Sequence, residues 1–150
     1  MRPRLDFHAA APKVMAPLMA LKRSVDESGL EAGLIELVKI RASQINGCAF
    51  CIHLHTAEAR RQGESEARIY LLDAWRHSPL FTPREQAALA WTEALTLVAE
   101  TQAPDADYAA IAQAFTAEEQ VKLTMLIATI NALNRLAIGF RSVHPTAGPD

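Results

Sequence analysis

The sequence predicts an all-α protein that forms a single domain over residues 1–150. Apolar residues recur three and four positions apart along most of the chain, which is the spacing of one face of a helix. Glycine and proline fall between these periodic segments, and no segment indicates a strand. At 150 residues the chain is long enough to bury a core of its own without cross-links.

Four helices are predicted in the first half of the chain, over residues 11–26, 31–44, 48–62 and 64–76. The buried side of the first is predicted to hold Val14, Met15, Leu18, Leu21 and Val25. The second is predicted to bury Leu34, Leu37, Val38 and the aliphatic stem of Arg41. Asn46 and Gly47 are predicted to form the turn before the third helix, and Gly63 to close that helix.

Three helices are predicted in the second half, and two of them have well-marked starts. Thr82 and Thr116 are each followed three residues later by a glutamate, Glu85 and Glu119, which is the pattern of a capping box. The predicted ranges are 83–101, 105–114 and 117–141, followed by a frayed tail over 144–150.

Composition and charge exclude several classes of protein. The formal net charge is only -2, so no basic surface for nucleic acid is indicated. Pro12, Lys13 and Pro17 interrupt the N-terminal apolar stretch, which therefore does not resemble a signal peptide. The longest apolar run, residues 123–130, is far shorter than the roughly 18 residues of a membrane span. We expect a cytoplasmic protein with no membrane or nucleic-acid partner. Because structural disulfides do not persist there, two closely spaced cysteines indicate redox chemistry or metal binding.

The reactive side chains are concentrated in residues 48–55. On a helix, Cys48, Cys51 and His55 lie at i, i+3 and i+7, so both sulfurs and one imidazole share a face. Cys48 follows the Asn-Gly turn and lies at the helix N-terminus, where unpaired amides favour a thiolate. This position and the Cys-x-x-Cys arrangement each lower a thiol pKa below its free value of about 8.5. Because one cysteine can resolve the sulfenic acid or mixed disulfide of the other, the segment indicates a two-cysteine reductase or peroxidase.

The pair also fits a structural zinc site or two inert core cysteines. Zinc is disfavoured because His53 points about 100° of helix away from the cysteine face and the sequence has no second ligand pair. Inert cysteines are disfavoured because His55 lies four residues after Cys51. Covalent haem is excluded, since Ile52 rather than histidine follows Cys51. We expect no metal and no cofactor.

With Glu36 included, these residues resemble the alkylhydroperoxidase D-like branch of the carboxymuconolactone decarboxylase family. The pattern is Glu36, eleven residues, Cys48-x-x-Cys51, three residues and His55. The similarity continues through residues 83–95 and 131–141, so it covers nearly the whole chain.

The resemblance implies a helical fold that assembles as a homotrimer or homohexamer, with peroxidase or disulfide reductase activity and an antioxidant role. It implies that Cys51 attacks the peroxide, that Cys48 closes the disulfide, and that Glu36 and His55 form a proton relay. It also implies that a cellular dithiol, of the lipoyl type, is the reductant. Without the resemblance, Glu36 would be interpreted as a solvated helix residue.

The chain departs from alkylhydroperoxidase D proper, which has a second histidine between its cysteines where Ala49 and Phe50 stand here. Redox competence is therefore better supported than peroxide turnover. The alternatives are a lyase acting on a small lactone, as in the decarboxylases that name the family, and a non-enzymatic redox or metal-binding module. His53 is predicted at the rim of the site or at a subunit contact. Asn131, Asn134 and Arg135 are predicted to satisfy buried polar groups, to lie at a subunit interface or to bind substrate.

Overall fold

The computed structural model describes residues 1–146, and within this range every regular element is helical, as the sequence predicts. The elements are α1 Phe7–Ala10, α2 Pro12–Asp26, α3 Ala32–Asn46, α4 Ala49–Arg61, α5 Glu66–Leu71, a 3₁₀ helix Leu72–His77, α6 Pro83–Thr96, α7 Val98–Thr101, α8 Asp105–Ala114 and α9 Ala117–Gly139.

The later helix starts are confirmed, and both capping boxes form. The hydroxyl of Thr82 accepts from the Glu85 amide while the Glu85 carboxylate accepts from the Thr82 amide, and Thr116 and Glu119 repeat the arrangement. Each box satisfies two amides that a helix N-terminus otherwise leaves unpaired.

Three predicted helices are wrong in extent. The backbone of Leu97 (φ −102°, ψ 31°) divides the predicted helix 83–101 into α6 and α7, and the Thr101 hydroxyl donates to the Ala94 carbonyl across the break. The predicted helix 64–76 divides into α5 and the 3₁₀ helix, inside which Ala74 leaves helical geometry (φ −109°, ψ 25°). The last helix ends at Gly139 rather than Arg141, because Arg141 takes a left-handed conformation (φ 57°). Residues 147–150 of the predicted tail lie outside the described part of the chain.

Helix α3 lies at the centre of the molecule and packs against α4, α6 and α9. Every residue from 34 to 40 is buried, including the predicted apolar set of Leu34, Leu37 and Val38. Two of these buried residues, Glu36 and Lys39, are ionisable. Since a buried charge is costly unless it is paired, both need partners.

The predicted inner face of α2 is partly wrong. Met15 and Val25 are buried, whereas Val14 is 71% exposed and Leu21 is 36% exposed. The face that α2 turns inward runs instead through Met15, Lys22 and Val25, and it brings Lys22 and Asp26 beside α3. The apolar spacing alone did not predict this rotation, because α2 is an outer helix with a narrow contact.

Helix α9 is, among residues 1–146, the one helix long and apolar enough to cross a membrane by length and composition, with a mean hydropathy of 1.3. It packs against α2, α3 and α6. Its inner face joins the core through Leu123, Leu126, Ile127 and Ile130. One face of α9 therefore belongs to the core, whereas Val121, Met125 and Ile138 of the same helix are exposed.

Candidate active site

A tight turn between α3 and α4 places the cysteines. Gly47 takes a left-handed conformation (φ 70°) that glycine adopts without penalty, and the Cys48 amide donates to the Ser43 carbonyl at 2.9 Å. The turn folds α4 back along α3, so a residue near the start of α3 can meet one on the second turn of α4.

Cys48 and Cys51 are joined as a disulfide, with their Cα atoms 5.3 Å apart. Cys48 is the N-cap residue of α4, and its Sγ accepts a hydrogen bond from the Cys51 amide at 3.3 Å. Both cysteines are buried. In the reduced protein this amide and the N-terminus of α4 would favour a thiolate at Cys48.

Glu36 and His55 form a buried pair beside the cysteines. The Oε2 atom of Glu36 lies 2.9 Å from Nδ1 of His55, and both side chains are 7% exposed or less. An ionised carboxylate only accepts hydrogen bonds, so Nδ1 donates, and Nε2 of the neutral imidazole is left free to accept a proton.

The charge state of Glu36 follows from its neighbours. Burial alone would raise the pKa of Glu36, but the hydrogen bond from His55, the charge that His55 carries when it is protonated at low pH, and the charge of Lys39 outweigh burial and hold the pKa below its usual 4.5. Glu36 is therefore ionised near neutral pH and can orient His55.

Sequence reasoning missed the ion pairs that continue from Glu36. Lys39 Nζ lies 3.0 Å from Glu36 Oε1 and 2.7 Å from Asp26 Oδ1, and Lys22 Nζ lies 2.7 Å from Asp26 Oδ2. Burial acts to raise the pKa of Asp26, yet the bonds and charges of Lys22 and Lys39 hold it below its usual 3.8. A signal was present in the sequence, because Glu36 and Lys39 interrupt the apolar run of α3 and Lys22 and Asp26 are spaced i, i+4.

Two cavities meet at His55. The larger, of about 490 Å³, is mostly apolar and contains Cys51 but not Cys48; Phe7, Met19, Phe50, Leu54 and Leu133 contribute to its wall. The smaller, of about 300 Å³, has the charged side chains Lys22, Asp26, Glu36, Lys39 and Glu58 in its wall beside Ala32, Ile35 and Leu54. His55 therefore lies in the wall of both cavities, the one that contains Cys51 and the one that contains Glu36.

The remaining predicted residues lie around this centre. His53 stacks on His144 with ring centroids 5.0 Å apart and does not join the Glu36–His55 pair. Asn46 Nδ2 donates to Asn131 Oδ1 at 3.0 Å and to Asn134 Oδ1 at 2.9 Å, which ties the turn before Cys48 to α9. Arg135 donates to the Asn131 carbonyl at 2.9 Å. These side chains satisfy polar groups around the site, and within residues 1–146 no three His, Cys, Asp or Glu side chains are grouped to hold a metal ion.

A helical fold with a Cys-x-x-Cys disulfide at a helix start, and a buried Glu–His pair beside it, defines an alkylhydroperoxidase D-like protein. The family model of the carboxymuconolactone decarboxylase family matches residues 12–94. The chain belongs to this family, in its alkylhydroperoxidase D-like branch. The family is one of enzymes.

The chain is similar to three further proteins. The uncharacterized protein YdfG of Bacillus subtilis is 39% identical over 92% of this chain and 94% of its own length. A crystal structure from Agrobacterium tumefaciens is 46% identical with a TM-score of 0.95 and covers 97% of this chain and 100% of its own; its function is unknown, and a role in antioxidant defence as AhpD has been suggested for it. A peroxidase-related protein of Ralstonia eutropha with an AhpD core, at 20% identity, shares the fold with a TM-score of 0.81, covering 93% of this chain and 74% of its own.

Proposed function

We propose that this protein is a cytoplasmic thiol peroxidase that reduces organic hydroperoxides with Cys51 and Cys48 and is recharged by a dithiol of the lipoyl type. The observation that carries the proposal is the position of Cys51 in the wall of an apolar cavity, four residues before a histidine that is held by a buried carboxylate. The antioxidant role suggested for the Agrobacterium relative supports it. Assembly as a homotrimer or homohexamer is part of the same proposal, on the family resemblance.

Cys51 is the attacking thiol in this proposal because it lines the larger cavity, whereas Cys48 does not. Nε2 of His55 takes the Cys51 proton, and Glu36 stabilises the imidazolium that forms. The thiolate then attacks one peroxide oxygen. The O–O bond breaks, the alkoxide leaves with a proton returned by His55, and Cys51 becomes a sulfenic acid.

The cycle closes through Cys48. Its thiol attacks the Cys51 sulfenic acid, releasing water and forming the Cys48–Cys51 disulfide, which is the state of the pair in the structure. The dithiol reductant then gives two electrons and two protons to the pair and becomes a cyclic disulfide itself. Each turnover therefore reduces one hydroperoxide to an alcohol and water and oxidises one dithiol.

The shape of the larger cavity supports an organic rather than an inorganic peroxide. A volume of about 490 Å³ lies within the range of small-molecule sites. Its aromatic and aliphatic lining gains free energy when an alkyl or aryl group replaces water. Hydrogen peroxide offers no such surface.

The test follows reduced protein exposed to cumene hydroperoxide. The expected result is one disulfide per chain by mass spectrometry, and continuous turnover when dihydrolipoamide is present. Cys51→Ser should abolish both. Cys48→Ser should stop at a sulfenic acid on Cys51 that dimedone traps. Turnover that survives Cys51→Ser would contradict the proposal.

A matched pair on α4 tests the base. His55→Gln should slow the reaction strongly, whereas His53→Gln, two residues away on the same helix, should leave the rate near that of the unaltered protein. Equal losses in both variants would remove the assigned role of His55. Lactone turnover that is indifferent to Cys51→Ser would assign the lyase alternative instead, and stoichiometric zinc in the purified protein would assign the metal-binding one.

A further inference from the structure

We propose that the charges of Lys39 and Asp26 set both the ionisation of Glu36 and the pH range over which Cys51 reacts, so that both are positioning residues of the thiol site. The inference rests on the proposed function for its biological meaning, but its measurements do not require peroxide turnover. Lys39 on α3 and Asp26 on α2 both lie outside the Cys-x-x-Cys segment.

The geometry makes Lys39 the link between two carboxylates. Its ammonium group lies 3.0 Å from Glu36 and 2.7 Å from Asp26, and its side chain is 5% exposed. A buried ammonium without an anionic partner is strongly unfavourable, so Lys39 requires at least one of these carboxylates to be ionised. Because Glu36 also accepts from His55, Lys39 and His55 hold the two oxygens of one carboxylate.

The chain of charges alternates in sign from the surface to the imidazole. Lys22 is positive, Asp26 negative, Lys39 positive and Glu36 negative, and Glu36 then contacts His55. With neutral His55 these charges sum to zero. Removing the positive charge of Lys39 therefore leaves an excess negative charge beside Glu36, and removing the negative charge of Asp26 leaves an excess positive charge.

No other described group near Glu36 takes over this task. On α4, Glu58 lines the smaller cavity and is paired with Arg61. The α9 side chains that adjoin Lys39 and His55 are Leu126, Thr129, Ile130 and Leu133, none of which titrates in the accessible pH range. Asp6 and His8 lie in the wall of the larger cavity, which Lys39 does not line. No α6 residue lines the cavities that contain His55.

Two single substitutions should move the pH dependence in opposite directions. Lys39→Met should raise the pKa of Glu36 by roughly one to two pH units, because an opposite charge in contact is lost. Asp26→Asn should lower the pKa of Glu36, by less, since its charge acts across Lys39. The double variant restores the neutral sum and should return the titration towards that of the unaltered protein.

The first measurement is the titration of Glu36 in protein with carbon-13 glutamate, followed by NMR. The second is the rate of iodoacetamide alkylation of Cys51 against pH in reduced protein, which needs no peroxide. Lys39→Met leaves an excess negative charge beside the site, which disfavours the Cys51 thiolate and should move the alkylation profile to higher pH; Asp26→Asn leaves an excess positive charge and should move it to lower pH. Lys122→Met is the matched control, because Lys122 forms an i, i+4 pair with Glu118 on α9 away from the site, and it should move neither curve.

Shifts in the same direction for both single variants, or equal losses at every pH with an unmoved Glu36 titration, would overturn the proposal. If Lys39→Met does not fold, Asp26→Asn decides alone. Simple damage to the site would move the alkylation profile to higher pH, whereas the proposal predicts a move to lower pH for Asp26→Asn. Absent peroxide turnover with the expected opposite shifts would refute the proposed function and leave the roles of Lys39 and Asp26 standing. Normal turnover with unmoved titrations would support the proposed function and refute the roles of Lys39 and Asp26.

Discussion

Helix α3 carries two carboxylate-centred networks, and they differ in the kind of partner that each carboxylate has. Near the start of α3, Glu36 is held by His55 and Lys39. Near its end, Arg41 reaches Glu93 of α6, which also accepts from Trp75 at 2.8 Å and from Arg76. Both carboxylates are largely buried, and both have a lowered pKa.

The partners decide what each network can do. Arginine and indole groups do not exchange protons in the physiological range, so the Glu93 network has one charge state and can only hold α3, α6 and the 3₁₀ helix together. Histidine does exchange protons, and the Glu36 network lies next to two cysteines and two cavities. A depressed carboxyl pKa thus marks both a structural and a candidate catalytic site, and the chemistry of the partner separates them.

When each carboxylate is neutralised in turn, the largest difference between the two networks is expected in the rate of thiol chemistry. Glu36→Gln should slow the reaction of Cys51 with hydroperoxide by roughly 10²-fold and raise the pH at which the thiol reacts, because the imidazolium loses its anionic partner. Glu93→Gln should leave the rate of the folded protein nearly unchanged. Stopped-flow measurement of peroxide reduction against pH tests this, and a comparable loss in Glu93→Gln would show that the two networks do not differ in function.

The reverse contrast is expected in stability. Glu93→Gln removes the ionic acceptor of Trp75 Nε1 and of two guanidinium groups, which should cost roughly 2–3 kcal/mol of unfolding free energy. Urea denaturation at pH 7 would measure it, with the m-value as a check that the folded state is unchanged. An unchanged midpoint would mean that solvent replaces these bonds fully.

Acid should weaken both networks over the same interval. Burial raises the pKa of Glu93, but the bonds from Trp75, Arg76 and Arg41 hold it below its usual 4.5, as His55 and Lys39 do for Glu36. A carboxyl whose folded pKa is depressed contributes stability above its unfolded pKa and loses it as pH falls through the folded value. The unfolding free energy should therefore decrease steeply below about pH 4.5, and the decrease should be shallower in Glu93→Gln. Equal slopes would show that protonation of Glu93 does not contribute to the loss of stability in acid.

The smallest effect is expected at an exposed ion pair whose carboxyl group has a strongly lowered pKa. The side-chain bonds of Arg60 and Tyr70 lower the pKa of Glu66 to about 2, yet Glu66 is exposed to solvent. Because solvent screens such pairs, Glu66→Gln should leave the urea midpoint and the thiol reactivity unchanged. A measurable loss would show that exposed pairs on α5 contribute more than their surroundings suggest.

Local patterns in the sequence predict the helical class, the capping boxes at Thr82 and Thr116, and the alignment of Cys48, Cys51 and His55 on one face. All of these depend on residues within a few positions of each other, where helical spacing fixes the geometry. Glu36 was found only through family resemblance, because its partner is nineteen residues away.

The remaining features depend on how the helices pack against one another. The rotation of α2, which turns Val14 outward and Asp26 towards Lys39, depends on how α2 packs against α9 and not on its own apolar pattern. The break at Leu97 and the 3₁₀ helix after α5 are likewise places where packing overrides a continuous helical pattern. The larger cavity beside His55 exists because segments from both ends of the chain meet there, and the smaller one because α2, α3 and α4 meet there; no local pattern encodes a space between separate segments.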